Sequence, residues 1–222
     1  MQELPKINII YEDNHLLVVE KPVNIPVQED ISKDIDMITI LKNYRIKKEK
    51  KKGDAYIGLV HRLDRPVGGI MVFAKTSKAA SRLSEEIRNN TFHKTYLAVV
   101  EGYPSQKGKL EDYLIKNKEK NISTITTKEK GKYSALEYQV LKEKDHLSLI
   151  KINLITGRSH QIRVQFSSRN HPLVGDTKYG HNNNNNINIA LFAESITFTH
   201  PTTKEPLTFA LNKPNRYPFN IF

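Results

Sequence analysis

The sequence predicts an α+β fold organised on a mainly antiparallel sheet. Segments with strand character outnumber those with helical character, and many are neighbours joined by short turns, as antiparallel hairpins are. No internal repeat and no Pro/Gly/Ser linker divides the 222 residues. A single domain over 1–222 is therefore expected, long enough to bury a sizeable core.

Taken in order, Ile7–Tyr11 and Leu16–Glu20 read as short strands across the turn Glu12-Asp13-Asn14. Lys21-Pro22 stops the second, because proline donates nothing to a sheet ladder. Residues 37–47 carry a weak helical pattern through Ile38, Ile40, Leu41 and Tyr44. The run from Lys47 to Gly53 reads as an exposed basic loop or a solvated helix end. The apolar segments Tyr56–Val60 and Ile70–Ala74 read as buried strands, with a tight turn marked by Pro66, Gly68 and Gly69 between them. Thr76-Ser77 starts a helix with Ala80, Leu83 and Ile87 on one face and Arg82, Glu85, Glu86 and Arg88 on the others, and Asn89-Asn90 ends it. Thr95–Glu101 is a strand closed by Gly102-Tyr103-Pro104. Further strands are expected near 109–115, 122–127, 132–142 and 147–154, the last two as a hairpin across Lys144-Asp145-His146. Arg158–Ser167 reads as a short helix, the run Asn182–Asn186 as a low-complexity loop, and Ile189–Phe198 as a late strand.

The net charge of +11 implies a polyanionic partner, nucleic acid before a membrane surface or an acidic protein. No cysteine is present, which excludes disulfides and thiolate metal sites and agrees with a reducing cytoplasm. No apolar run approaches the ~20 residues that span a bilayer, so a cytoplasmic protein is expected. His61, His160 and His200 lack the close helical spacing of a zinc enzyme, and no metal is expected.

The segment His61-Arg62-Leu63-Asp64-Arg65-Pro66-Val67-Gly68-Gly69-Ile70 sets one carboxylate between two arginines on a turn between apolar strands. HRLD, a glycine-containing turn and then MVFAKT resemble the catalytic motif of the RluA-type RNA pseudouridine synthases, although Val67-Gly68-Gly69 stands where that family has Thr-Ser-Gly. Other segments follow in the family's order. They are Tyr11-Glu12-Asp13 to Pro22, Lys94–Gly102, Gly157-Arg158-Ser159-His160-Gln161-Ile162-Arg163, Pro172–Gly180 and Leu191–Pro201. Asn24 replaces a usual Gly, a mild change because Asn tolerates left-handed dihedrals, and Phe192 stands where His is usual.

The resemblance implies a mixed, mainly antiparallel sheet flanked by helices and loops, with a central catalytic cleft. It implies isomerisation of uridine to pseudouridine in structured RNA, ribosomal RNA first and transfer RNA second, by a monomer without cofactor or metal. Asp64 is implied as the covalent or proton-abstracting group, and Tyr96 as the residue stacked on uracil with an acid–base role. Arg163 is implied as the cation set against the acid, favouring its ionised form. Arg62 is implied to fill the space left by the extruded base. Arg65, Arg158, His160, Gln161 and Lys21 are expected among the RNA contacts. Since the family pattern begins at Tyr11, no separate N-terminal RNA-binding domain is expected. The rival readings are an inactive RNA-binding module and a base-excising enzyme acting at C1′. A retaining glycosidase needs two facing carboxylates, and the motifs supply one.

Overall fold

The computed structural model describes residues 5–50, 52–181 and 187–222, so Lys51 and the Asn182–Asn186 run lie outside the described residues. The fold is α+β, and the chain forms two compact units, Met1–Phe92 with Ser195–Leu211, and His93–Glu194 with Asn212–Phe222. Among the described residues no helix is long and apolar enough to cross a membrane.

In the first unit, β1 (Asn8–Glu12) pairs antiparallel with β2 (Leu16–Lys21). The turn between them is closed by Asp13, whose Oδ1 accepts from the backbone N–H groups of His15 (2.6 Å) and Leu16 (2.7 Å). β2 pairs with the wholly buried β4 (Gly68–Ala74), Lys21 opposite Gly69 and Leu16 opposite Ala74. The strand expected over Tyr56–Val60 shrinks to β3, Gly58–Leu59. The Tyr56 carbonyl is taken by Arg45 of helix α1 (Met37–Lys48) and is not available to a ladder. Asp36 caps α1 by accepting from Thr39 N (3.1 Å). Helix α2 (Ser77–Arg88) starts at Thr76 and ends at Asn89, as read from the sequence. Its Arg82 and Glu86 are not merely solvated, since they bond the Pro201 carbonyl and the Thr199 N–H. A strand that the sequence reading missed, β11 (Pro206–Ala210), pairs with the end of β10 (Leu191–Thr199). Its leading proline disguises it.

The second unit orders its strands β5 (His93–Glu101), β9 (Leu147–Leu154), β8 (Lys132–Lys144), β6 (Lys107–Asn117) and β7 (Ile122–Thr126), each antiparallel to the next. The expected hairpin closes through two left-handed residues, Asp145 (φ 51°) and His146 (φ 60°), the geometry of a tight twisted two-residue turn. Helix α3 is shorter than expected, Gln161–Ser167, because His160 is left-handed (φ 54°) and breaks the helical path ahead of it.

Candidate active site

The Asp64 turn is fixed through its backbone. Val67 N–H donates to the Asp64 carbonyl (3.0 Å), closing the turn over Arg65-Pro66. The Arg65 carbonyl accepts from Asn24 N–H (2.9 Å) and from Lys21 Nζ (3.0 Å). Asn24 holds φ 65°, so the asparagine that replaces a usual glycine does adopt the left-handed conformation it tolerates. The two glycines expected in the turn instead begin β4. Gly69 has φ 123°, and a Cβ on Gly68 would sit 3.1 Å from Val23 Cγ1 and 3.2 Å from the Lys21 carbonyl. The missing hydroxyls of Val67-Gly68-Gly69 thus leave a turn whose hydrogen bonds run through backbone atoms. Asp64 itself is half-buried, flanked by buried Leu63 and exposed Arg62. Arg62 is exposed and makes no hydrogen bond or ion pair among the described residues.

Two residues expected to meet RNA bond to their own chain. Lys21 is 1% exposed and gives its ammonium to the Pro22 (2.8 Å) and Arg65 carbonyls. Burial brings its pKa down to about 7, the Asp64 charge opposing that fall and Arg65 assisting it. A lysine reads as a surface cation in sequence, but here it is an internal strut beneath the acid. Arg65 directs its guanidinium to its own chain, reaching Ser32 Oγ (2.9 Å), the Asn24 carbonyl (3.1 Å) and the Asp34 carboxylate.

The second unit carries the other candidates. Tyr96 is buried on β5, opposite Ile152. Arg163 is buried on α3 and holds Asp176 in a two-pronged ion pair, Nε to Oδ2 at 2.8 Å and Nη2 to Oδ1 at 2.7 Å. Asp176 Oδ1 also accepts from the N–H groups of Lys178 (3.0 Å) and Tyr179 (3.1 Å). The Tyr179 ring lies under the guanidinium, 5.2 Å from ring centre to Arg163 Cζ. Its hydroxyl meets His160 Nδ1 (2.8 Å) and accepts from Ser123 N–H (2.7 Å). Gly180 is required here, since a Cβ would fall 2.4 Å from the Asp176 carbonyl oxygen.

His160 and Gln161, expected on the RNA, are buried. Gln161 accepts from Arg158 N–H (3.0 Å) and Thr156 Oγ1 (2.8 Å) and donates to the Ala135 carbonyl (3.0 Å), so it organises the loop ahead of α3. Arg158 is exposed and donates to the Tyr133 carbonyl (3.0 Å). Sequence reading gave no role to Asp176, Tyr179 or Lys94. The Lys94 Nζ lies 3.4 Å from where a Cβ on Gly157 would stand, and burial lowers its pKa.

The three histidines sit in separate settings. His61 Nε2 accepts from Val72 N–H (3.2 Å), His160 meets Tyr179, and His200 meets Asp13 (2.8 Å). No group of three or more metal-binding side chains occurs among the described residues.

The first unit therefore gathers Lys21, Asp64 and Arg65, and the second gathers His160 and Arg163 around Asp176 and Tyr179. Residues 15–168 match the family model described as RNA pseudouridylate synthase. The chain is 36% identical over 207 residues to ribosomal large subunit pseudouridine synthase C of Buchnera aphidicola subsp. Baizongia pistaciae, covering 89% of this chain and 64% of that protein. It is 31% identical over 225 residues to ribosomal large subunit pseudouridine synthase D of Zymomonas mobilis, covering 96% and 71%. It thus spans about two thirds of the length of these curated relatives. The solved structure of human RNA pseudouridylate synthase domain containing 4 shares the fold, with a TM-score of 0.79 at 22% identity, covering 93% of this chain and 88% of that one. On the matched span and these identities, the chain belongs to the RNA pseudouridylate synthase family.

Proposed function

We propose that this chain isomerises specific uridines to pseudouridine in structured RNA, with Asp64 as the reacting carboxylate. The observation that carries the reading is the turn of Asp64. It lies within the matched span and is locked by three backbone-directed hydrogen bonds from Val67, Asn24 and Lys21. A group that must meet one carbon of a flipped nucleotide gains from being fixed before the substrate arrives.

In the reaction the N1–C1′ bond breaks, the uracil turns, and C5 joins C1′. The proton lost from C5 is balanced by one gained at N1, so mass is unchanged. Asp64 acts by attack or by proton abstraction. Tyr96 stacks on the uracil and takes part in proton transfer. Arg163, assigned by its motif to the acid, arrives preset by Asp176. Arg62, an exposed residue, takes the place of the extruded base. Every group needed is a side chain, so the reaction runs without metal or cofactor, in a cytoplasmic monomer. Ribosomal RNA is the first substrate, in line with the two relatives named for the large subunit, and transfer RNA the second.

The test maps pseudouridines in RNA from a deletion strain and its parent, and treats unmodified transcript with pure protein. A pseudouridine absent from the strain and restored at unchanged RNA mass supports the reading. Loss of a base mass would move the enzyme to excision, and binding without any change would make it an inactive module.

A further inference from the structure

One face of the sheet in the second unit carries a pair of neighbouring tyrosines with an exposed isoleucine beside them. On β6 and β8, Tyr113 stands directly opposite Tyr133, and on β6 and β7, Ile115 stands opposite Thr124 and Tyr113 opposite Thr126. Directly opposed residues in an antiparallel pair share a face. Tyr133 is 41% exposed and Ile115 44%, and the two tyrosine rings meet edge-on at 5.9 Å. A Cβ on Gly131, in the turn after β7, would lie 2.6 Å from Thr126 Cγ2 and 2.9 Å from Tyr113 Cβ, so the turn hugs the edge of this face.

The surroundings are basic. Residues 107–132 contain eight lysines against four carboxylates. Two carboxylates share the tyrosine face: Glu111 is paired with Lys109 (3.1 Å) and accepts from the Tyr133 hydroxyl, and Glu137 stands opposite Lys109. Arg158 of the second sequence motif is exposed and bonded to the Tyr133 backbone, which makes the face continuous with that motif.

We propose that the Tyr113–Tyr133 face is a stacking platform for single-stranded segments of the RNA substrate. The inference rests on the reading of the chain as an RNA enzyme and adds the surface that holds the strand. Open aromatic rings on a sheet, edged by cations, suit unpaired bases, whose flat faces stack while their phosphates meet lysine and arginine. An apolar protein partner would not call for the lysine edge, and a duplex keeps its base faces hidden.

The chain contains no tryptophan, so a Tyr133→Trp variant carries a single indole reporter. The probe is a single-stranded oligouridine of about 12 nucleotides, long enough for one site. Binding is measured for wild type, Tyr133→Trp, Tyr133→Phe and Tyr133→Ala. The platform predicts quenched indole emission on binding, near wild-type affinity for Tyr133→Phe, and about tenfold weaker binding for Tyr133→Ala. Wild-type affinity in Tyr133→Ala would overturn it and leave the face to a protein partner or to solvent. An equal loss in Tyr133→Phe would also overturn it, by assigning the effect to the hydroxyl. These outcomes are read from binding alone, whereas failure of the isomerase reading shows as wild-type protein that converts no uridine.

Discussion

The turn that carries Asp64 is held through its main-chain carbonyls, those of Asp64 and Arg65, which accept from two backbone N–H groups and the Lys21 ammonium. Around Arg163 the arrangement is reversed. There a guanidinium, a carboxylate, a phenol and an imidazole hold one another, through side chains contributed by the residue ahead of α3, by α3 itself and by the loop after it. The difference bears on tolerance. A turn fixed by carbonyls can exchange Thr-Ser-Gly for Val67-Gly68-Gly69 and keep its path. A cluster built on a buried ion pair is costly to break by removing one of the two charges.

The largest effect is therefore expected at Asp176→Ala. It removes the carboxylate that grips Arg163 from both prongs, in a site where Arg163 is 4% and Asp176 1% exposed, and should cost about 3–5 kcal/mol of stability in urea unfolding. A cost under about 1 kcal/mol would show that water or another acid replaces the pair. Arg163→Ala should be similarly destabilised, and in still-folded protein should lose single-turnover rate more than RNA affinity. A loss of affinity alone would make Arg163 a phosphate-binding residue.

Lys21 probes the other side of the comparison. Its folded pKa of about 7 lies below the usual lysine value, so between roughly pH 7 and 10.5 the unfolded chain binds the extra proton. Stability from this group then rises with pH across that window, by at most about 1.4 kcal/mol per pH unit. Lys21→Met should flatten the rise in unfolding free energy between pH 7 and 9. An identical slope in the variant would mean that Lys21 stays charged in the fold.

The smallest effect is expected at the basic run. Lys47 and Lys48 belong to the last turn of α1, and Lys48 is bound to Glu12 (2.6 Å) and Tyr44 (3.1 Å). Lys47, Lys50 and Lys52 are exposed. Replacing Lys47, Lys50, Lys51 and Lys52 by Ser should flatten the salt dependence of RNA binding by about 0.7–0.9 for each phosphate that the run neutralises. An unchanged slope would identify the run as a solvated helix end.

What could be read from the sequence follows the same division. Features written in contiguous residues were legible: the HRLD turn, the Thr76 and Asn89 limits of α2, and the Asp145-His146 hairpin. Features that depend on where a side chain finally points were not. Lys21 and Gln161 look like surface groups in a motif, yet both are buried against backbone carbonyls. The Arg163–Asp176 pair joins a helix to a loop 13 residues on, with no periodic signal to announce it. Arg65 reads from its motif as an RNA contact, and its bonds to Ser32 and Asp34, more than thirty residues earlier, leave no mark in the local sequence.

The central claim is that the Asp64 carboxylate carries the reaction on a turn formed in advance of substrate. Its most direct test is single-turnover pseudouridine formation by Asp64→Asn protein, with RNA affinity measured in the same preparation. The change keeps size and turn while removing the charge that reacts. The account predicts no detectable product and affinity within about tenfold of wild type, because phosphate contacts elsewhere supply most of the binding. Appreciable pseudouridine from pure Asp64→Asn protein would contradict it.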